Sequence, residues 1–409
     1  MRKQGELIVG LDIGTTKVCA IVAEKREGSV DVVGLGTHPS RGMRRGVVVD
    51  IEATVDSIRK AIEEAELMAG CEIHSVQVGI AGGHIEARNE IGMVAIKGRE
   101  ITERDVRRVL EQAQAVAIPA DREVIHVIAQ EYEIDGEDGI KQPVGMSGVR
   151  LIARIHIVTA AVTSVQNIVK CCIRAGLDVD EIILEPLASS EAVLAEDEKA
   201  LGVALVDVGG GTTDLSVFQD GAVKHSAVLS LGGYHLTNDA AVGLRTPFDQ
   251  AERIKRRYGC AAPRRLRSDE ILIVPSVGGR APREVSRKML AGFLEPRVEE
   301  ILTLVREELR RANFLHRIPS GVVVTGGASA LEGFPELAEE VFDLPVRRGL
   351  PRGIGGLVDR VQGPEFATGV GLTLRGAREQ PKKRFPIRRG NSFASVLERM
   401  REWFSSEVG

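Results

Sequence analysis

Aromatic residues are scarce in this sequence, at 3% of 409 residues, with a single tryptophan and three tyrosines. The apolar share of 43% is therefore carried mainly by Val, Ile, Leu and Ala, which suits helices packed on sheets and suffices for a sizeable core. Net charge is nearly absent as well. A value of −4 argues against nucleic acid as a bulk partner. Cysteines are few and odd in number: Cys19, Cys71, Cys171, Cys172 and Cys260 lack metal-ligand spacing. The adjacent Cys171 and Cys172 read as small buried apolar residues, and the pattern fits a reducing cytoplasm. No run reaches the ~18 apolar residues of a membrane-spanning helix. The apolar stretch after Arg2 and Lys3 is broken by Asp12, which speaks against a signal peptide. Membrane contact is thus expected to be peripheral.

At ~100–200 residues per domain, the length predicts two to four folded units. Strands are predicted at Leu7 to Asp12 and Lys17 to Val22, joined by a Gly14-Thr15-Thr16 turn. Ile51, Val55, Ile58, Ile62, Ala65 and Ala69 recur at helical spacing, and Gly70 closes that helix. A strand from Ser75 to Ile80 runs into Gly82-Gly83. From residue 84 to 162 the pattern changes to that of a small α+β insertion. Its helix is opened by Thr102 and Asp105 as a capping box and is expected to end at Pro119; strands follow at Glu123 to Tyr132 and Val149 to Thr159. A helix from Val165 to Ala175, a strand from Glu181 to Leu184 and a Glu185-Pro186 junction lead to the strand Val203 to Asp207. Residues 246–320 are expected to be mainly helical around the basic loop Arg264-Arg265-Leu266-Arg267, and a strand from Gly321 to Thr325 then meets Gly326-Gly327.

Phosphate-binding signatures of the common kinds are also missing. No G-x-x-x-x-G-K-[ST] string occurs, and the Gly-rich turns lead into β-rich runs rather than into the helix of a dinucleotide-binding unit. What is present is an internal echo. Leu11-Asp12-Ile13-Gly14-Thr15-Thr16-Lys17-Val18 recurs as Val206-Asp207-Val208-Gly209-Gly210-Gly211-Thr212-Thr213-Asp214-Leu215. Each copy is a strand ending in Asp, a Gly/Thr turn and a second strand. Such turns offer backbone N–H groups and hydroxyls as a nest for phosphate oxygens, and glycine lets the backbone come close. An Asp beside each turn can hold Mg²⁺ through its waters.

This duplication resembles the actin-like ATPase superfamily. The stretches Gly10 to Lys17, Gly46-Val47-Val48-Val49-Asp50-Ile51, Glu185 to Ser190, Val206 to Asp214 and Glu295-Pro296-Arg297-Val298-Glu299-Glu300 are similar, within it, to the FtsA family of bacterial cell-division proteins. They are spread over nearly the whole chain. The resemblance implies an α/β, two-lobed actin-like fold with duplicated sheet-and-helix cores, a small SHS2-type insertion in the first lobe and a C-terminal amphipathic helix. The implied divisions are a first-lobe core over 1–83, completed by 163–195 and about 365–376; the insertion over 84–162; a second-lobe core over 196–229, completed by about 300–364; and its small subdomain over 230–299.

The resemblance also implies ATP between the lobes. Gly14, Thr15, Thr16 and Lys17 would hold phosphates from one side, and Gly209, Gly210, Gly211, Thr212 and Thr213 from the other. Asp12 and Asp207 would face Mg²⁺ through water. Gly326, Gly327 and Ala328 would hold adenosine, with Glu252 and Lys255 flanking the ribose or base; the other reading of that last pair is an exposed i,i+3 ion pair. Glu185 falls where relatives orient attacking water. Phosphoryl transfer needs positioning and charge stabilisation above all, so slow hydrolysis and a binding-only assembly switch both fit the pattern. The implied partners are further copies in a filament, later division proteins at the insertion, and the C-terminal peptide of the tubulin-like protein FtsZ at residues 230–300. Arg253, Arg256, Arg257, Arg264 and Arg265 there could attract an acidic peptide or simply form a solvated basic face.

The C-terminal segment can be read without the family. Phe393, Val396, Leu397, Met400, Trp403 and Phe404 fall on one stripe of a helix over 391–409, which suits insertion at a headgroup boundary. The linker before it, 377–390, carries Arg378, Lys382, Lys383, Arg384, Arg388 and Arg389 against Glu379 alone. Each contributes up to ~1 kcal/mol near an anionic membrane. Within the helix Glu398, Glu402 and Glu407 outweigh Arg399 and Arg401, a departure from the basic tails of the family, so attraction must come mainly from the linker. A helix docked on its own domain is the competing reading. A cytoplasmic scaffold of a pilus assembly shares the subdomain plan but would lack this stripe. A heat-shock ATPase would need a substrate domain after residue 376, and no sugar-binding residues of a kinase are recognisable.

Overall fold

The computed structural model describes residues 6–378 apart from 27, 99 and 267; the expected linker from 379 and the helix over 391–409 lie outside the described residues. Two sheets dominate. In the first, Glu6–Ile13, Lys17–Arg26 and Ser29–Pro39 form an antiparallel meander. Ser75–Ile80 adds parallel to Glu6–Ile13, and Asp178–Leu184 adds parallel to Ser75–Ile80. In the second, Val203–Val208, Thr213–Gln219 and Ala222–Leu229 make the same meander, with Val322–Thr325 and Val346–Arg348 added parallel in the same order. The echo seen in the sequence thus extends to whole five-strand units; the first sheet gains one more short strand, Gly355–Gly356, along Ser29–Pro39.

The helix Ile51–Ala69 starts where Asp50 accepts a hydrogen bond from Ala53 N at 3.1 Å and stops at Gly70, which adopts the left-handed conformation. Val55, Ile58, Ile62 and Ala65 are buried against the first sheet, as the spacing requires. Cys171 and Cys172 are also fully buried, and burial pushes the Cys171 thiol up to about 11.

The insertion is a four-stranded sheet in the order Glu86–Ala95, Arg150–Ala161, Arg122–Ile134, Glu137–Ile140. It has its own core around Ile101, Val109, Leu151 and Ile155. Its helix Glu103–Gln114 opens with the expected Thr102–Asp105 capping box but ends before Ala115 rather than at Pro119. The reason is burial: Ala113 is the last fully buried residue of that stretch, and nothing beyond it repays continuing the helix.

Residues 246–320 also differ from expectation. Between the helices Phe248–Tyr258 and Arg287–Arg311 lies a hairpin, Ile271–Val274 with Arg283–Ser286. Its signal was the alternation of exposed Ile271 and Ile273 with buried Leu272 and Val274, a period of two. After Gly326, a 3₁₀ turn over Gly327–Ala330 precedes the helix Phe334–Phe342. The helix Ala367–Arg378 returns to pack on Glu6–Ile13 and on the helix Glu185–Val193.

Candidate functional site

The two hairpin turns face each other across a cleft. In each, the first glycine closes a four-residue turn: Gly14 N donates to Lys17 O and Gly209 N donates to Thr212 O, both at 3.0 Å. This equivalence sets Thr15 and Thr16 against Gly210 and Gly211, so the threonines of the two strings do not correspond in space. They interlock instead. A Cβ on Gly210 would stand 2.5 Å from Thr16 Cγ2, and one on Gly211 would overlap Thr15 Oγ1. Only glycine in the second turn lets the threonines of the first come this close. Thr15 Oγ1 accepts from Gly46 N at 3.1 Å, while Gly209 O and Gly210 O accept from Gly233 N and Tyr234 N at 2.9 and 2.7 Å. Both turns are thereby tied to their own lobes.

Below the turns four acids converge. Asp207 and Asp214 are buried, while Asp12 and Glu185 keep part of their surface open to the cleft. Loss of water raises Asp12 to about 6, partly opposed by Lys17. Burial and then the charge of Asp12 raise Asp207 to about 6, with hydrogen bonds from Ser189 and Thr368 acting against the rise. Burial and the neighbouring Asp207 raise Asp214 to about 8. Glu185 is pushed well above the usual range by burial and by Asp12, Asp214 and Asp207. Asp214 Oδ1 has no hydrogen-bond partner, while its Oδ2 accepts from Thr212 Oγ1 at 3.0 Å. So dense a set of carboxylates with one nearby lysine is suited to a cation. No three His, Cys, Asp or Glu side chains among the described residues stand close enough to ligate a metal directly. Mg²⁺ is a cation of the kind such acids can hold through its waters, which it gives up reluctantly.

The cleft encloses about 730 Å³, counting space open to solvent, and its lining includes Asp12, Gly14, Thr15, Thr16, Lys17, Glu185, Asp207, Gly209, Gly210, Gly211, Thr212, Gly326 and Gly327. Gly326 sits at φ +83, where a Cβ would overlap Asp207 Oδ1. Thr213, Glu252, Lys255 and Ala328 do not reach the lining. Thr213 Oγ1 donates to Leu231 O at 2.9 Å and so holds the end of its strand. A Cβ on Gly233 would lie 3.6 Å from both Ala328 Cβ and Lys255 Nζ, which places each of them near Gly233, behind the second turn. The exposed-pair reading of Glu252 and Lys255 fails. Lys255 is 7% exposed, and its Nζ donates to Gly233 O at 3.1 Å, Thr237 Oγ1 at 2.8 Å and Glu252 Oε2 at 2.7 Å.

Four further contributors were not expected. Asp214 stands in the echo without an assigned role; in the first hairpin Cys19 takes its place, since Asp12 pairs with Cys19 as Asp207 pairs with Asp214. The other three come from the segment Pro364 to Thr368. Lys17 Nζ donates to Glu365 O at 2.7 Å and lies 4.1 Å from the centre of the Phe366 ring. Thr368 Oγ1 reaches Asp207 Oδ2 at 3.4 Å. No local pattern marks that segment, because its role depends on contacts with residues more than a hundred positions away.

Comparison with known proteins agrees with this architecture. Residues 204–371 match the family model described as cell division protein FtsA, and residues 82–159 the one described as the SHS2 domain inserted in FtsA. The cell division protein FtsA of Pseudomonas aeruginosa is 54% identical over 98% of both chains. That of Escherichia coli strain K12 is 44% identical, again over 98% of both. Among solved structures, a PilM–PilN type IV pilus biogenesis complex superposes with a TM-score of 0.66 at 18% identity, covering 90% of this chain and 98% of that one. MreB5 of Spiroplasma citri bound to ADP gives 0.56 at 16% identity, over 90% and 95%. At such identities the structures attest the actin-like fold alone.

Proposed function

The chain belongs to the FtsA family of cell-division proteins, and on that premise we propose that it binds ATP with Mg²⁺ between its lobes and tethers the division filament to the membrane. The observation that carries the nucleotide reading is the convergence of two glycine turns on four crowded carboxylates in one cleft. Gly14, Thr15, Thr16 and Lys17 hold the phosphates from one lobe, and Gly209, Gly210, Gly211 and Thr212 from the other, with Thr213 bracing the second turn. Asp12 and Asp207, with Asp214 beside them, face the hydrated Mg²⁺, whose charge offsets theirs and that of the phosphates. Gly326, Gly327 and Ala328 receive adenosine. Lys255 spends all three of its protons inside the protein, so it holds Glu252 in place rather than meeting the ligand itself.

Glu185 stands at the start of its helix with the carboxyl in the cleft, suited to accept a proton from water. Slow hydrolysis at most is in keeping with an assembly switch. MreB5 bound to ADP shares the fold, which supports a nucleotide here by analogy.

Beyond the site, the reading follows the family. The protein polymerises, receives the FtsZ C-terminal peptide on residues 230–300, meets later division proteins through the insertion, and lies peripherally at the division site. Phe393, Val396, Leu397, Met400, Trp403 and Phe404 supply the anchor for an anionic inner membrane face. Among the described residues no helix is long and apolar enough to cross a membrane. The deciding experiment adds FtsZ to anionic vesicles bearing the full chain, with and without ATP–Mg²⁺. Recruitment that needs both the nucleotide and residues 391–409 is the expected result; recruitment without either would refute the reading.

A further inference from the structure

The insertion meets the second lobe along the strand Ala222–Leu229. Asn89 Nδ2 donates to Lys224 O at 2.9 Å, and Gln130 Nε2 donates to Val223 O at 2.7 Å and to Asn89 Oδ1 at 3.1 Å. His156 Nδ1 lies 2.7 Å from Asn89 Oδ1, and its Nε2 lies 3.1 Å from Ser226 Oγ. The amide of Asn89 can face only one way, since the reverse would set its oxygen against the Lys224 carbonyl. Its Oδ1 then accepts from two donors, which fixes the His156 proton on Nδ1 and leaves Nε2 to accept from the Ser226 hydroxyl. An ion pair of Lys224 with Glu131 at 3.7 Å flanks the set. Asn89, Gln130, Glu131 and His156 belong to the insertion; Lys224 and Ser226 belong to the second lobe.

The insertion's hold on the first lobe is of another kind. The chain is continuous there, and Ile125, Val158 and Ala160 join an apolar core that is built mainly by the first lobe and runs on into Leu205, Phe218 and Val223 of the second. Leu184 N, one residue before Glu185, donates to His126 Nε2 at 3.0 Å. Toward the second lobe the contact is directional and hydrogen-bonded. Ser226 stands opposite Ser216 in the strand Thr213–Gln219, which begins where the second glycine turn ends. Any rotation of the lobes that shifts this hairpin against the insertion must break bonds that weaken steeply with distance and angle. Apolar contacts can slide, but this seam can only hold or release.

We propose that the seam is a latch: the insertion, carried by the first lobe, grips the second-lobe hairpin and thereby gates release of nucleotide from between the turns. This rests on the nucleotide reading above. The test follows dissociation of a fluorescent ATP analogue with Mg²⁺ from the full chain, together with amide hydrogen exchange over residues 209–229. Asn89→Ala should speed release at least fivefold and accelerate exchange at both 222–229 and 209–212. Ser226→Ala should do so less, and Ser226→Thr, which keeps the hydroxyl, should stay within twofold of wild type. If Asn89→Ala fails to fold, the contrast between the two Ser226 variants decides. Faster exchange at 222–229 with release and turn exchange unchanged would overturn the latch. Should the unaltered chain bind no analogue, the nucleotide reading falls. Exchange at 209–212 in Asn89→Ala then decides the latch alone, acceleration supporting it and no change refuting it.

Discussion

Gly210 lies directly beneath Thr16, so that a Cβ on the glycine would stand 2.5 Å from the threonine methyl. The contact joins the two turns across the cleft, and it makes each sensitive to the side chains of the other. Gly210→Ala should therefore cost about 1–3 kcal/mol, as overpacking does. Thr16→Ala in the same chain should recover part of that loss. Denaturant midpoints for the two single variants and the double would show the coupling; strict additivity would mean the turns do not press on one another.

The crowded acids make the ligand-free chain sensitive to pH. Asp214 is raised to about 8, and Asp12 and Asp207 each to about 6. The folded state therefore holds protons that the unfolded state has already released. Stability from this source is complete below about pH 4 and drains away as pH rises through 6 toward 8. Thermal melts should show a smaller loss between pH 5 and 8 in Asp214→Asn than in wild type, and Mg²⁺ with ATP should oppose that loss. A steeper loss in the variant would contradict the assignment.

Glu185→Gln separates binding from turnover. With the proton acceptor gone, phosphate release should fall about 10²–10⁴-fold, while affinity for ATP stays within a few-fold. Because the substitution removes an acid whose charged form burial and its neighbours disfavour, the loss of melting temperature with rising pH should be smaller. Unchanged phosphate release would leave Glu185 with no part in the chemistry.

Lys255→Met keeps most of the side-chain volume but takes three hydrogen bonds away. It leaves Gly233 O, Thr237 and Glu252 short of a donor, at a cost of about 1–3 kcal/mol. Nucleotide affinity should weaken with it, since Glu252 loses the group that holds it. Titration of a fluorescent ATP analogue beside a denaturation curve measures both effects; full affinity in a destabilised variant would confine Lys255 to folding.

The tail carries the only tryptophan, Trp403, which makes it its own probe. Anionic vesicles should shift its emission to the blue, and deleting residues 391–409 should abolish co-sedimentation. Raising salt should weaken the effect, because the linker's positive charges supply the long-range attraction. Emission unmoved by vesicles at any nucleotide state would point to a helix docked on its own domain.

Local pattern made most of the architecture legible. The helix Ile51–Ala69 announced itself by apolar spacing and by the residues at both of its ends, and the paired hairpins by a repeated string. What stayed hidden depended on distance along the chain. The threonines of the two strings look matched in one dimension, yet turn register sets them against glycines. Lys255 reads as one half of a surface ion pair until Thr237 and Gly233 close around it. The segment from Pro364 to Thr368 has no periodicity at all, and its value to the site comes from its contacts with Lys17 and Asp207. The hairpin at Ile271 was missed because a four-residue alternation is easily lost among flanking helices.

Two sheets built on one plan would, left alike, frame a cleft with a twofold axis, able to take a ligand either way round. The departures from likeness remove that ambiguity. Lys17 stands where the other turn has Thr212, and Cys19 where the other hairpin has Asp214. The first wall thus sets Lys17 beside Asp12, while the second carries Asp207 and Asp214 with no lysine in its turn, and this imbalance gives the cleft a head and a tail. A molecule with a charged end and an uncharged end can enter in one orientation only.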